Sequence, residues 1–258
     1  MNTSFSVFGL ATGLIRDGDD ITGRLIAVAE RSSCGGIRDG DVIVLAESMV
    51  ATAEGRVVPL ASVTPSRRAE ELAEKYDMDA GTAEVVLRES DDVVGGIPHF
   101  LLCMTNGTLL PNAGVDGSNA PPGCLVPLPE DPDASAVRIR KAIEQQCNVN
   151  VAVIIADSRT HAMRSGCSGV AIGCAGIVSV IDDRGRNDLF GRKLEVTKRA
   201  VADNIASAAE LVMGEADEGV PAAIVRGLGL PIEDISGVES INADECLFMG
   251  LLKRQKPD

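Results

Sequence analysis

Aromatic residues are scarce in this sequence, which has no Trp, one Tyr and five Phe among its 258 residues. Proteins that bind single-stranded nucleic acid stack its bases on aromatic side chains, so this class is disfavoured. The chain has seven scattered cysteines without a CxxC pair, and only two histidines. This pattern indicates neither a zinc site nor a disulfide framework. A single Cys-His pair stays open as a catalytic alternative. A metal site in this chain would have to use carboxylates.

Long apolar segments are missing as well. The longest uninterrupted apolar run has six residues, 151–156, whereas a membrane span needs about twenty. The first ten residues lack the basic stretch and long apolar segment of a secretory signal. We therefore expect a cytoplasmic protein with no membrane partner. The net charge of −14 also disfavours nucleic acid as a partner, because its phosphates would be repelled.

The residues that are present favour a folded α+β protein with a mixed α/β pattern. Apolar residues make up 45% of the chain and charged residues 24%, which is enough for a buried core. The patterns predict strands at 5–10, 41–45, 100–104 and 150–156. They predict helices from about Thr22, from Thr64, over 82–90, from an Asp133 cap to 146, and over 195–213.

Proline and glycine mark two irregular regions. Five of the twelve prolines lie between 121 and 132, which predicts a loop or a connector between lobes. The glycines within 166–176 predict close packing of the backbone against a neighbour or a ligand. We expect residues 1–258 to form one catalytic unit.

Three acidic residues lie at predicted breaks of secondary structure. Asp116 is in the Gly- and Asn-rich stretch 112–119, Asp157 ends a predicted strand, and Glu215 follows a predicted helix. Carboxylates from separate segments can converge on a hard divalent cation, which needs several oxygen ligands. The alternatives are a turn, a helix cap and a solvent-facing side chain. The chain has no Walker A motif and no complete dinucleotide-binding fingerprint.

Eleven segments carry a resemblance to a known family. They are residues 15–20, 41–44, 53–56, 112–119, 128–136, 153–158, 171–173, 185–192, 201–203, 213–219 and 225–227. In order and spacing they resemble the coenzyme F420-0:L-glutamate ligase family over roughly residues 5–230. Enzymes of that family add glutamate to the precursor of a deazaflavin cofactor.

The resemblance implies an α+β fold of two closely joined lobes and a homodimer whose subunits intertwine. It implies an amide ligase that uses GTP and two divalent ions, Mg²⁺ or Mn²⁺, and forms an acyl phosphate. The small-molecule partners would be the deazaflavin precursor, L-glutamate and GTP. The implied metal ligands are Asp116, Asp157, Ser158 and Glu215. The implied nucleotide contacts are Thr12, Gly13, Leu14, Ile15, Asn119, Met213, Gly214, Ala216, Asp217, Glu218, Gly219 and Val220.

Two stretches depart from the family pattern, and we expect both to be loops that touch substrate. Glu47, Ser48 and Thr52 stand where family members usually carry Ser or Thr with lysines, so we expect weaker nucleotide binding or a different phosphoryl donor. In the second stretch Thr160 and His161 replace the usual residues and only Arg164 matches.

Arg164 and His161 are the candidate catalytic residues. The histidine is a substrate contact or general base, with an ordinary loop histidine as the alternative. Two other functions stay open beside the ligase. One is a divergent paralogue that acts on another acid or on a phosphorylated compound, and the other is a binding paralogue without activity.

Overall fold

The computed structural model describes residues 4–253, and it describes side chains as far as residue 250. The chain forms two compact units. The first contains the described residues up to Arg56 together with Leu128–Val238, and the second contains Val57–Pro127 with the described residues from Glu239 onward. The boundary after Pro127 falls within the proline-rich stretch 121–132. No helix among the described residues is long and apolar enough to cross a membrane.

Helices and mixed sheets alternate along the described chain, which confirms the predicted α+β fold. The strands are β1 (Ser6–Leu10), β2 (Val42–Ala46), β3 (Val58–Pro59), β4 (Asp92–Ile97), β5 (Phe100–Thr105), β6 (Thr108–Pro111), β7 (Cys124–Leu125), β8 (Ala152–Thr160), β9 (Cys167–Ala175), β10 (Val180–Asp182), β11 (Lys198–Ala200) and β12 (Ala222–Arg226). The α-helices are α1 (Ile21–Arg31), α2 (Glu47–Ala53), α3 (Arg67–Tyr76), α4 (Ala80–Glu89), α5 (Pro132–Cys147), α6 (Val201–Met213) and α7 (Leu247–Lys253).

The first unit is built on a five-stranded sheet in the order β1-β12-β2-β8-β9. Strands β2 and β8 are parallel and the other neighbours are antiparallel. Leu10 pairs with Ala222, Ala222 with Leu45, and Ala46 with Ala156. The carboxyl ends of β1, β2 and β8 therefore meet the beginning of β12 at one end of the sheet, which we call the carboxyl end.

Helices cover both faces of this sheet, because its central strands are apolar on both sides. Ile43 and Ile155 belong to a buried cluster with residues of α1 and α5. Val44 and Ile154 belong to a second cluster with α6. Side chains along a strand point alternately to the two faces, so the continuous apolar run 151–156 supplies both clusters.

A β-bulge interrupts the alternation in β9. Ile155 pairs with Gly173, but Ala156 pairs with Ala171, so Ile172 is an additional residue between the two pairs. Beyond the bulge, Ala171 and Gly169 face α6. A Cβ atom on Gly169 would lie 2.6 Å from the backbone carbon of Ala206, so the glycine allows α6 to pack closely on the strand.

A buried ion pair lies at the opposite end of the sheet. The side chain of Asp41 is fully buried and accepts hydrogen bonds from Nε and Nη2 of Arg226 at 2.8 and 2.7 Å. Arg226 also donates to the carbonyl oxygens of Cys34 and Gly36, at 2.6 and 2.7 Å. Its guanidinium lies 5.5 Å from the ring centroid of Phe8. This network ties β12 to the loop between α1 and β2.

The second unit contains the three-stranded sheet β4-β5-β6, the pair β3-β7 and helices α3 and α4. Its core includes Val86 from α4 and Leu101 and Cys103 from β5. Burial raises the pKa of the Cys103 thiol.

Three helices begin at residues other than those predicted. The helix predicted from Thr64 begins at Arg67 as α3, because the Ser66 side chain caps it by accepting a hydrogen bond from the amide of Ala69. Asp131 rather than Asp133 caps α5, because its side chain accepts a hydrogen bond from the amide of Ala134. Asp133 lies in the first turn and accepts from the amide of Cys174 at 2.8 Å, and burial raises its pKa. The helix predicted from residue 195 begins only at Val201, because Lys198–Ala200 pairs with β10 as strand β11.

Candidate active site

The carboxyl end of the sheet brings together most of the segments singled out by the sequence. The stretch 12–15 follows β1, and the loop 213–220 precedes β12, whose first residue pairs with the last residue of β1. The amide of Ala46, at the end of β2, donates to the carbonyl of Pro221 at 2.9 Å. Asp157 follows Ala156, which pairs with Ala46. Both predicted nucleotide segments of this unit therefore lie at the same end of the sheet as Asp157.

Asp157 lies inside a strand, although the sequence predicted it at a strand end. Strand β8 continues to Thr160 because β9 pairs with it over this length. Nε of Arg159 donates to the Asp157 carboxylate at 2.8 Å, and the two side chains are only 11% and 13% exposed. Their contact across two positions is the one expected for side chains on the same face of a strand. Arg159 thus fixes the orientation of the Asp157 carboxylate.

Glu215 is one of three side chains that cluster on the α6 side of β9. Its carboxylate, the carboxylate of Glu210 and the thiol of Cys167 have ligand atoms within 4.8 Å of one another. Burial and the neighbouring Glu215 carboxylate raise the pKa of Glu210 to about 7, and the charge of Asp157 acts in the same direction. Burial and the two glutamates raise the pKa of Cys167, which is hydrogen-bonded to Ser158. Ser158 and Glu215, both predicted ligands, therefore border one cluster.

The donor set fits a hard divalent cation. Glu210 and Glu215 offer carboxylate oxygens and the neighbouring Ser158 offers a hydroxyl, which are the ligand types that Mg²⁺ and Mn²⁺ prefer. The Asp157 carboxylate acts on Glu210 through its charge but is not one of the groups within 4.8 Å of one another. Carboxylates this close repel one another when both are ionised, and a bound cation would offset that repulsion. Cys167 is a softer donor than the others.

Asp116, the fourth predicted ligand, belongs to the second unit. Its carboxylate accepts hydrogen bonds from the amides of Gly117 and Ser118, at 2.6 and 3.1 Å, and from the Ser118 hydroxyl. Asn119, the predicted nucleotide contact beside it, is exposed and has a φ of +55°. The convergence of Asp116 with the other ligands stays a prediction.

The segment after β1 alternates between buried and exposed residues. Thr12 and Ile15 are buried, whereas Gly13 and Leu14 are exposed. The carbonyl oxygen of Leu14 accepts a hydrogen bond from Nη1 of Arg24 in α1, at 2.8 Å. This contact holds the exposed part of the segment against the helix.

The loop 213–220 is folded back on itself. The Glu218 carboxylate accepts a hydrogen bond from the amide of Ala216 at 2.8 Å. It also lies against Gly214, where an added Cβ atom would be 2.4 Å from Cδ of Glu218. Gly214 has a φ of +73°, which favours glycine and ends α6. Val220 packs on Gly9, where a Cβ atom would lie 2.8 Å from its Cγ1. Met213 is buried, and Asp217 and Gly219 are exposed. The loop therefore lies on β1, the strand that leads into residues 12–15.

His161 and Arg164 form a turn directly after β8. Nε2 of His161 lies 2.7 Å from the hydroxyl of Ser168, and the amide of Arg164 donates to the carbonyl of His161 at 3.0 Å. Both side chains are exposed. Their predicted contact with substrate stays a prediction, and Thr160 before them belongs to the strand rather than to a loop.

The prediction of a loop at Glu47, Ser48 and Thr52 is wrong. These residues lie in α2, which begins immediately after β2, and all three are partly buried. A glutamate in the first turn of a helix interacts favourably with the positive end of the helix dipole. Glu47, which departs from the family pattern, therefore stabilises the start of α2 and lies at the carboxyl end of the sheet.

Comparison with known proteins supports the resemblance seen in the segments. Residues 9–227 match the model of the family described as F420-0:Gamma-glutamyl ligase. The chain belongs to this family. The Coenzyme F420:L-glutamate ligase of Methanopyrus kandleri is 43% identical to it over 230 residues, which are 89% of each chain. The protein of the same name from Archaeoglobus fulgidus is 41% identical over 252 residues, or 97% of each chain. As a member of this ligase family, the chain is an enzyme.

Three residues of this candidate site were not predicted from the sequence: Glu210, Cys167 and Arg159. Glu210 could have been found, because it lies four residues before the helix-ending Gly214 and five before Glu215. A carboxylate in the last turn of the helix is expected to lie close to one just after it. Cys167 gave no such signal, because its place depends on its pairing with Thr160 across the two strands.

Proposed function

We propose that this enzyme joins L-glutamate to the coenzyme F420-0 precursor through an amide bond, with GTP and divalent cations. Relatives with this activity in their name cover nearly the whole chain. The single observation that carries the proposal is the cluster of Glu210, Glu215 and Cys167, which includes a residue of the predicted nucleotide loop 213–220 and lies at the same end of the sheet as residues 12–15.

In the proposed site, Asp157, Ser158 and Glu215 hold two cations, Mg²⁺ or Mn²⁺. When bound, the cations neutralise phosphate charge and orient the transferred group. Arg159 keeps the Asp157 carboxylate in place. Residues 12–15 and 213–220 present exposed backbone and glycines to the nucleotide, since backbone can approach phosphate closely where no side chain intervenes.

The proposed chemistry needs no nucleophile from the protein. The γ-phosphoryl group of GTP passes to the acceptor carboxylate and gives an acyl phosphate with release of GDP. The amine of glutamate then attacks the acyl carbon, and inorganic phosphate leaves as the amide forms. The protein contributes positioning and charge neutralisation. We place Arg164 and His161 at the substrate, the first as a cation for anionic groups and the second as a contact or as base for the amine.

We also propose that the enzyme works as a homodimer. The described residues include several large apolar side chains at the surface, among them Leu189, Phe190 and Val196. Interfaces between identical subunits are commonly more apolar than the rest of the surface.

The decisive experiment pairs binding with turnover. Calorimetry with Mn²⁺ should give an affinity at least about tenfold lower for Asp157→Asn than for the wild type, because a hard-ion site depends on ligand charge. Asp234→Asn is the matched control, since the Asp234 side chain in the same unit is fully exposed. Circular dichroism checks that both variants fold.

Turnover is followed as release of GDP from GTP or of ADP from ATP and as the mass of the product, with and without the deazaflavin precursor. Precursor- and glutamate-dependent GDP release that stops on removal of the metal supports the proposal. GDP release that ignores the precursor but depends on another acid identifies a divergent paralogue. Full activity of Asp157→Asn would overturn the assignment of the site.

A further inference from the structure

A hairpin projects from the first unit, and the proposed chemistry leaves it without a role. Strands β10 and β11 form its base, and we call residues 182–198 the hairpin arm. The strands continue beyond their assigned ends, because the amide of Gly185 donates to Leu194 and the amide of Leu194 donates to Arg186, both at 2.8 Å. The buried carboxylate of Asp183 accepts from Arg186 and Arg199 and ties the base together. The arm is therefore an ordered element.

The tip of the arm is a turn held by one side chain. Asp188 accepts hydrogen bonds from the amides of Phe190 and Arg192, at 2.8 and 2.9 Å. The amide of Gly191 donates to the carbonyl of Asp188, and Gly191 has a φ of +80° that favours glycine. The two central residues of this turn, Leu189 and Phe190, are therefore presented in one fixed conformation.

These two side chains are apolar and exposed to solvent. Leu189 is fully exposed, Phe190 is 85% exposed, and Val196 on the returning strand is 87% exposed. An apolar group fixed in water gives no stability to the subunit that carries it, and adjacent exposed apolar side chains typically mark an interaction site. A preorganised tip also loses little conformational entropy on binding.

The charge of the arm indicates what it contacts. Residues 182–198 with the neighbouring Arg199 carry six basic and four acidic residues, a net charge of +2, whereas the whole chain has −14. The arm is thus positive in a strongly negative protein, and another copy of the same chain is complementary to it. The polar cosubstrates GTP and glutamate are a poor match for Leu189 and Phe190, which have no polar side-chain atoms. The activity measurement below separates docking on a second copy from contact with the deazaflavin precursor.

We infer that the hairpin arm docks on a second copy of this chain, with Leu189 and Phe190 as the apolar anchor and Arg192 and Lys193 as its charged rim. In a twofold dimer the contact is made twice, so each arm contributes its apolar tip. The inference rests on the homodimer in the proposed function and assigns its contact element.

The absence of Trp makes a direct test possible. Phe190→Trp introduces the only tryptophan of the chain, and Leu211→Trp places one on α6 at a side chain that is 87% exposed. Trp at 190 should emit at short wavelength at micromolar concentration and shift to the red on dilution below the dissociation constant of the dimer. Trp at 211 should emit as an exposed indole at every concentration. Red emission from Trp at 190 while light scattering gives a dimer would overturn the inference.

A second pair of variants measures the contribution of the tip. Sedimentation equilibrium should give a dimer dissociation constant at least about 100-fold higher for Leu189→Ser/Phe190→Ser than for the wild type. Leu211→Ser should change it by less than about threefold. High salt should weaken the wild-type dimer if Arg192 and Lys193 form the rim.

The outcomes separate the two proposals. A wild-type protein that is monomeric at all concentrations refutes the homodimer itself. A wild-type dimer that is unchanged by the double serine variant leaves the homodimer in place and overturns the role of the arm. A double variant that stays dimeric but loses ligase activity assigns the arm to the substrate site instead, which also overturns the inference.

Discussion

The Glu210→Gln substitution should have effects of opposite sign with and without a cation. The carboxylates of Glu210 and Glu215 have oxygen atoms within 4.8 Å of each other. Two unit charges at that separation repel by about 0.9 kcal/mol at the dielectric constant of water and about 3.5 kcal/mol at an effective value of 20. Since the pair is partly exposed, we expect the neutral glutamine to stabilise the metal-free protein by about 1–3 kcal/mol at pH 8.

With a cation bound, the same substitution removes one negative charge close to the cation and so weakens its binding. We expect the Mn²⁺ affinity to fall about 10- to 100-fold, which corresponds to about 1.4–2.8 kcal/mol. The variant should therefore melt higher than the wild type in EDTA but gain less from added Mn²⁺. For a unit of this size each kcal/mol corresponds to about 2–4 °C.

Thermal unfolding in EDTA and in saturating Mn²⁺, with calorimetry of Mn²⁺ binding, measures both effects. Glu30→Gln is the control, because Glu30 is an exposed glutamate in the last turn of α1, outside the cluster. Equal melting temperatures of Glu210→Gln and wild type under both conditions, or an unchanged Mn²⁺ affinity, would refute the reasoning. Low ionic strength keeps screening from hiding the repulsion.

Two further substitutions test the framework that positions the site. Arg226→Met should lower the free energy of unfolding in urea by about 3–5 kcal/mol, because it leaves the fully buried Asp41 carboxylate without its cation. Adding Asp41→Asn should recover part of this loss. A loss below about 1 kcal/mol for Arg226→Met would contradict the argument. Gly169→Ala should cost about 1–3 kcal/mol and weaken Mn²⁺ binding, because its Cβ would lie 2.6 Å from the backbone of α6. Gly95→Ala is the matched strand control, since nothing lies within 4 Å of its Cβ position; similar losses for both glycines would contradict a packing effect.

The sequence predicted the elements whose local pattern is strong. The apolar run 151–156 is a buried strand, and Gly214 ends α6 as predicted. The prediction failed where packing outweighs local preference. The glycine-rich stretch around 169 was not predicted as a strand, yet it forms β9, in which Gly169 and Gly173 are needed because α6 and Pro132 pack against them. A preference of single residues cannot reveal contacts with elements distant in sequence.

The positions of the candidate residues in the fold were predictable to a similar degree. Asp157, Ser158 and Glu215 were found from chain breaks and resemblance, and the structure places them around one end of the sheet. Glu210 is brought to Glu215 by the bend at the end of α6, and Cys167 by the register of β9. Neither register nor the direction of a loop after a helix is encoded in the spacing of residues along the chain.

The bulge at Ile172 decides which β9 side chains lie beside Glu210. If β9 kept all its residues but paired without the bulge, residues 167, 169 and 171 would face α5, and Ser168 would take the place of Cys167. Deletion of Ile172 would instead close the bulge and leave Ala171 opposite Ala156 and Cys167 opposite Thr160. The strand can therefore lose one residue at this point and still present the same side chains to the site.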